Sequence, residues 1–411
     1  MKVGIGTANE KESALSGKKT GETAISRGDI QKPDFVLAFC SGQTDYKEFF
    51  AGLQSVVGKQ VPIIGGSAIG IITGDCLMYE GYPAAAAVIQ SDMLQCRLAV
   101  EGDLDKNEKS AGKRLTEKLA SKTDDRLLLI FYDSIKRPAT ENALPVLNTS
   151  CSLIEGMEQN LPSDVPIFGA GLMGDYAMGS TRQFCGSCVD SQSVVGLMLS
   201  GNFSPYFRIM HGCTPLDGVY HKITKMEGSA IYELDGKPIV EIIDKIYGNR
   251  EWRHHHPVDL LTIGVNQGEK FMEPEESKYV NRLITGVLPD GKGISIFEED
   301  LVPGSEIQFM LRDTANMIES AERNSAELMK QIYSEGKKAL FGMYIDCAGR
   351  TAGYSHTETE EAAQVQKVFN RYHVPLLGFY SGVEIAPFLR KSRGLDWTGV
   401  LIVLAGPHPE R

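Results

Sequence analysis

Val61-Pro62-Ile63-Ile64-Gly65, Val165-Pro166-Ile167-Phe168-Gly169 and Val374-Pro375-Leu376-Leu377-Gly378 are three statements of one pattern: Val-Pro, two apolar residues, then Gly. A strand-like apolar run and a helix-like stretch precede each of them. A further apolar run follows each, at Ala84 to Ile89, Val194 to Leu199 and Val400 to Leu404. Repetition of this kind marks one supersecondary unit used several times. Proline has no amide hydrogen, so it belongs at the start of a strand. The pattern therefore predicts an α/β fold of mixed β-sheets with helices, built from repeated strand–helix–strand units. A glycine-rich turn at the end of a buried strand is where α/β proteins place ligands. That makes Gly65, Gly66 and Ser67 candidates for binding one.

In the first unit, residues 1–6 read as a strand, Thr20 to Arg27 as a short helix and Asp34 to Cys40 as a buried strand. Asp45 and Glu48 fit a capping box. The helix behind them carries apolar Phe49, Leu53, Val56 and Val57 and stops at Gly58. The Val-Pro strand then leads into a turn at Gly65 to Gly70 and a hairpin through Thr73-Gly74-Asp75. The second unit has a strand at Leu127 to Tyr132 and a helix near Val146 to Gln159. The third has a strand at Ala339 to Ile345 and a helix near Glu358 to Tyr372, with Thr357 and Glu360 as its capping box. Residues 213–310 depart from the unit and read as strands with one helix, Pro238 to Tyr247. They lead into a long amphipathic helix, Thr314 to Glu335, whose Met317, Ile318, Ala321, Leu328, Met329 and Ile332 stripe is a core face. The expected division is into two related domains, residues 1–212 and 213–411.

The chain's 411 residues are 42% hydrophobic and 23% charged, enough to build large cores. Its net charge of −11 argues against a nucleic-acid surface, which needs clustered Lys and Arg. No stretch approaches the roughly 20 apolar residues of a membrane helix, and the N-terminus lacks a signal peptide's apolar core. A cytoplasmic protein with reduced thiols is expected. Cys185-Gly186-Ser187-Cys188 is the one close cysteine pair, and without a second such pair it reads as a hairpin turn rather than half a zinc site.

Gly169-Ala170-Gly171-Leu172-Met173-Gly174 matches a dinucleotide fingerprint in letters only, because no helix begins within it. A better candidate lies in the third unit. Cys347-Ala348-Gly349-Arg350 follows one strand, and Tyr380 and Glu384 follow its neighbour, so these groups are placed to converge at one sheet edge. Arg offers a planar fork to a carboxylate, Glu a partner for an ammonium, and Tyr a hydroxyl on an apolar ring. The set suits an amino-acid-like zwitterion. The structural alternative is that Arg350 and Glu384 pair with each other. His254-His255-His256 cannot all aim at one point from a regular element and reads as an exposed loop. Ser67 lacks the GxSxG elbow of a hydrolase, and Cys347 is a possible nucleophile through Arg350.

The repeat, the Cys347 to Arg350 turn and Gly378-Phe379-Tyr380-Ser381-Gly382-Val383-Glu384-Ile385-Ala386-Pro387 together resemble the FIST family over nearly the whole chain. Gly65 to Gly70 is similar to the N-terminal FIST domain's glycine turn. Arg312-Asp313 before the long helix is similar to the C-terminal domain. Gly382-Val383 departs from the family's Tyr-Gly before the glutamate. The resemblance implies an intracellular sensor of signal transduction with a small-molecule ligand and no required cofactor. It implies output through a separate partner such as a histidine kinase, since no kinase, cyclase or receiver segment is attached. It also raises an alternative of haem-based nitric-oxide sensing through one axial histidine, with His211, His356 and His373 as further candidates. An enzyme using Cys347 or Ser67 is the remaining alternative.

Overall fold

In the computed structural model, which describes residues 1–138, 145–389 and 391–407, the three Val-Pro units build three six-stranded sheets. Each unit opens on an edge strand: Lys2–Asn9, Leu94–Glu101 or Ser204–Met210. A helix (Ser13–Gly28, Glu108–Leu119 or Thr314–Ser334) leads to a second strand (Phe35–Ser41, Asp125–Asp133 or Lys337–Cys347). A second helix (Tyr46–Val57, Ser150–Met157 or Ala362–Tyr372) leads to the Val-Pro strand (Ile63–Ala68, Ile167–Leu172 or Leu376–Ser381). A hairpin and a returning strand (Pro83–Gln90, Val194–Gly201 or Gly399–Pro407) close the unit. The second and Val-Pro strands are parallel, and the returning strand pairs antiparallel with the second.

The Val-Pro-x-x-Gly pattern has a physical reason at both ends. Each strand begins just after its proline, whose carbonyl accepts the neighbouring strand's amide: Val36 N to Pro62 O at 2.9 Å, Leu128 N to Pro166 O at 3.0 Å and Gly342 N to Pro375 O at 2.9 Å. The glycine three residues on faces a backbone carbonyl of the parallel neighbour. A Cβ on Gly65, Gly169 or Gly378 would lie 2.1, 1.8 or 2.4 Å from the oxygen of Ala38, Ile130 or Tyr344. The expected glycine-rich turns are therefore extended strand. Gly65 and Gly66 are paired residues of the first Val-Pro strand, and Gly169 and Gly171 of the second. The glycines permit close strand packing rather than a tight reversal.

The hairpins do not stay with the units that supply them. The first unit's hairpin (Ile71–Thr73 and Leu77–Met78) extends the third sheet through Leu376–Ser381. The second unit's hairpin (Gln183–Gly186 and Val189–Asp190) extends the first sheet. The third unit's (Val383–Phe388 and Lys391–Leu395) extends the second. Exchange in this cyclic order closes the three units into one ring. Its centre is a single apolar core drawn from all three sheets. There Phe39 stacks on Phe379 with ring centroids 3.8 Å apart, and Phe131 meets both edge-on at 5.2 and 5.9 Å.

Residues between Met210 and Thr314 form an inserted nine-stranded antiparallel sheet around helix Ile239–Tyr247. It has its own core, centred on Trp252, Ile263 and Phe309. The long helix after it is capped by Asp313, which accepts from Ala315 N at 2.9 Å and Asn316 N at 3.1 Å. Met317, Ala321, Leu328, Met329 and Ile332 are buried as their spacing predicts, whereas Ile318, expected on the same face, is only half-buried.

Asp45 caps its helix, accepting from Lys47 and Glu48 amides at 3.0 Å. The capping box at Thr357 and Glu360 does not form, because the helix starts later and Glu360 is drawn toward Ala352, Tyr79 and Tyr380. The helix expected near Thr20 to Arg27 runs from Ser13. Its Gly17 and Gly21 permit close packing on Tyr46–Val57, and their low helix propensity hides the full length.

Candidate functional site

The second and Val-Pro strands of the third unit end side by side, with Asp346 opposite Tyr380 and Cys347 opposite Ser381. The chain then turns through Ala348–Arg350. Arg350, Tyr380 and Glu384 are fully buried, and Cys347 nearly so. Glu384 arrives from strand Val383–Phe388, in the neighbouring sheet, because that hairpin is exchanged. The four residues do meet in one buried cluster, but their bonds differ from those expected.

Arg350 does not pair with Glu384. Its Nε donates to Glu361 Oε2 at 2.8 Å, and its Nη2 lies 2.6 Å from Glu361 Oε1. Its Nη1 donates to the carbonyls of His211 at 3.0 Å and Trp397 at 2.9 Å, and Asp346 Oδ1 lies 3.2 Å from Nε. Tyr344 adds a hydroxyl bond to Glu361 at 2.9 Å. Nε and Nη1 are thus hydrogen-bonded, while Nη2 lies against Glu361 without a hydrogen bond of its own. Glu384 accepts from Ser381 Oγ at 2.9 Å through Oε1, while Oε2 has no donor. Both carboxyl oxygens of Asp346 also lack a hydrogen-bond donor. Tyr380 donates to Glu360 at 3.1 Å.

One guanidinium among Asp346, Glu361 and Glu384 leaves the cluster acidic. Burial pushes Asp346 well above the carboxylate range, and the charge of Glu361 adds to it. Burial also pushes Glu384 well above that range. Its Ser381 hydrogen bond and Arg350 pull the other way, against Asp346 and Asp396. Burial raises Glu361 as well, opposed by Arg350. For Arg350, burial works against the charge, but Glu361 and Asp346 outweigh it and hold the guanidinium protonated.

The raised Glu384 has a sign that can be tested. Its folded-state value lies above the unfolded value of about 4.3. Its contribution is therefore fully present below that unfolded value and lost as pH rises through the folded one. Glu384→Gln removes this loss. Melting curves at pH 5 and pH 8 are expected to show the variant gaining on the native protein at the higher pH; an equal difference at both contradicts the assignment.

Burial likewise pushes the Cys347 thiol well up, with Glu384 adding to it, which is opposite to activation of a nucleophile. Ser67 is bonded to Arg182, accepting its amide at 2.8 Å, and a Cβ on Gly66 would lie 2.1 Å from the Arg182 carbonyl. Gly65, Gly66 and Ser67 therefore hold the exchanged second-unit hairpin, and no hydrogen bond joins them to the Arg350 cluster among the described residues.

His211 Nδ1 accepts the Cys213 amide and its Nε2 bonds the Glu276 carbonyl, so both ring nitrogens are engaged. His254, His255 and His256 are exposed, and His255 pairs with Asp259 at 2.6 Å. His356 and His373 are exposed residues that end helices in the left-handed conformation. Cys185 and Cys188 flank the expected hairpin turn, and no metal-binding group of His, Cys, Asp and Glu occurs among the described residues.

Two participants were not read from sequence. Glu361 completes the Arg350 pair. Glu276, from the inserted sheet, accepts from Gly212 N at 2.7 Å and Ser320 Oγ at 2.7 Å and ties the insert to the long helix. A buried Arg needs a carboxylate, and Glu361 was available one residue from the supposed capping glutamate. Nothing local marks Glu276.

Models of two domains match the chain, a FIST N domain over residues 34–237 and a FIST C domain over residues 240–387. The chain belongs to the FIST family. FIST domains are proposed sensory and signalling domains, and the matches name no ligand. No curated protein matches the chain. Among solved structures, PurLQS from Thermotoga maritima is similar at 8% identity with a TM-score of 0.21, covering 98% of this chain and 72% of that one. T. maritima PurL complexed with ATP is similar at 10% identity with a TM-score of 0.22, covering 98% and 71%. Likeness at that level carries no argument about this FIST protein. No helix among the described residues is long and apolar enough to cross a membrane.

Proposed function

We propose that this FIST protein is a cytoplasmic small-ligand sensor whose responsive centre is the buried cluster around Arg350. The ligand is an amino acid or similar small zwitterion, and the signal leaves through a separate protein such as a histidine kinase. The observation that carries the reading is the acceptor excess. Glu384 Oε2 and Asp346 Oδ2 are buried without donors, and Asp346 Oδ1 has only an ion-pair contact at 3.2 Å to the one guanidinium in the cluster, whose Nε and Nη1 are already bonded elsewhere. Unsatisfied buried polar groups cost free energy, and they are rare enough in folded proteins that each calls for a reason, a functional role being one. A ligand ammonium among Asp346 and Glu384 relieves the deficit. Its carboxylate competes with the Trp397 and His211 carbonyls for Arg350.

The cluster is closed, so binding requires a second conformation that the ligand favours. Segment Ala348 to Glu361 carries two of the polar groups and covers the third sheet's strand ends. It is held by the Tyr176 hydroxyl, bonded to Ala348 O at 3.1 Å and Thr351 Oγ1 at 2.9 Å, and is the element that would move.

Thermal denaturation across a panel of amino acids tests the reading. At least one is expected to raise the melting temperature of the native protein, with the rise lost in Glu384→Gln. A flat response across the panel, with the protein folded, sinks it.

A further inference from the structure

A second polar site lies away from the Arg350 cluster, where three parts of the chain meet. The edge strand Lys391–Leu395, helix Ser150–Met157 and the inserted sheet enclose a cleft of about 180 Å³. An apolar cavity of about 150 Å³ holds a molecule the size of benzene, so this cleft admits a small solute. Its walls are charged rather than apolar, and most of those charges are already engaged.

Asp300 takes Arg282 in both hands, Nε at 2.9 Å and Nη2 at 2.6 Å. Glu298 is turned onto the helix start, accepting Ser150 Oγ at 2.5 Å and Cys151 N at 3.2 Å, and burial pushes it toward its neutral form. Glu155 pairs with Lys109 at 2.6 Å, and Glu158 is exposed at the rim.

Two cations remain. Lys391 and Arg393 are two residues apart on one strand and so share a face. Among the described residues Lys391 has no ion-pair partner within the 4.0 Å at which Arg393 reaches Asp300. Arg393 Nε is buried and has no acceptor. The wall of an open cleft thus carries one unused guanidinium donor, Arg393 Nε, and an ammonium, Lys391, with no ion-pair partner among the described residues, a pairing that suits an anion.

We propose that this cleft binds a compact oxyanion, a carboxylate or phosphate, whose oxygens take Arg393 Nε and Lys391 Nζ. Arg282, bonded to Asp300 on two nitrogens, lines the insert's side. The cleft draws its walls from the second unit's helix, the third unit's exchanged hairpin and the insert. A bound anion therefore fastens the inserted sheet to the ring.

The whole protein is titrated with inorganic phosphate and separately with malonate, at constant ionic strength, by calorimetry and thermal denaturation. Saturable binding of one or both is expected, with a raised melting temperature. Arg393→Gln and Lys391→Gln each weaken it by about tenfold or more, the loss of one charge-assisted contact. Lys225→Gln, at an exposed site on the insert, leaves it unchanged. Phosphate binding alone assigns a phosphate ligand, and malonate binding alone a carboxylate. No saturable binding of either anion overturns the proposal, as does unaltered binding in both variants. The amino-acid response lost in Glu384→Gln is a separate readout, so either proposal can fail without the other.

Discussion

Gly169→Ala is expected to be among the most damaging single substitutions in this chain. Gly169 lies in the second Val-Pro strand with φ of +151°, a conformation that costs any residue with a Cβ. The added methyl would stand 1.8 Å from the Ile130 carbonyl oxygen and 2.9 Å from the Ile130 side chain. Ile130 is buried and paired on both sides, with Gly169 in one strand and Gly196 in the other, so it cannot move aside. Backbone strain of about 1–3 kcal/mol and overpacking of about 1–3 kcal/mol give a loss of roughly 2–6 kcal/mol. Gly169's own strand accepts the third unit's hairpin, with Gly169 opposite Ile385, so damage here also loosens the ring. Urea denaturation is the measurement, and a midpoint within error of the native one refutes the account. Gly353→Ala is the control, since nothing lies within 4 Å of a Cβ there.

The same glycine shows how far the sequence could be read. The repeat announced the three units, and Val-Pro marked the strand starts correctly, because proline's missing amide is a local property. The glycine was read as a turn because its usual role is a reversal, whereas here the need comes from a parallel neighbour 27 to 39 residues away in the chain, as with Gly65 and Ala38 or Gly169 and Ile130. Local composition carries no trace of that neighbour. The hairpin exchange was likewise illegible: the first two hairpins are predicted by their own residues and the third was not read, but which sheet each joins depends on ring closure. That exchange brings Glu384 beside Cys347 from another sheet. The convergence of Arg350, Tyr380 and Glu384 was expected from strand ends alone, while the partner of Arg350 was not. Glu361 was hidden because a glutamate near a helix start reads as a cap.

Arg350→Met is expected to cost about 3–5 kcal/mol, the range for removing one partner of a buried ion pair. The side chain is fully buried, so solvent cannot replace what it provides. Glu361 loses contacts of 2.8 and 2.6 Å, Asp346 loses its neighbour at 3.2 Å, and the His211 and Trp397 carbonyls lose a donor. Arg350→Lys keeps the charge but not the planar fork, so an intermediate loss is expected. Glu361→Gln combined with Arg350→Met should be less damaging than the two single losses added together, because the double variant leaves no buried charge unpaired at that pair. The pH dependence has a definite sign. Without Arg350 the folded-state value of Glu361 rises further, so stability falls more steeply as pH increases. The defect measured by urea denaturation should be larger at pH 8 than at pH 5. A loss that is small, or equal at both pH values and strictly additive with Glu361→Gln, would mean that this guanidinium does not hold the acidic cluster together.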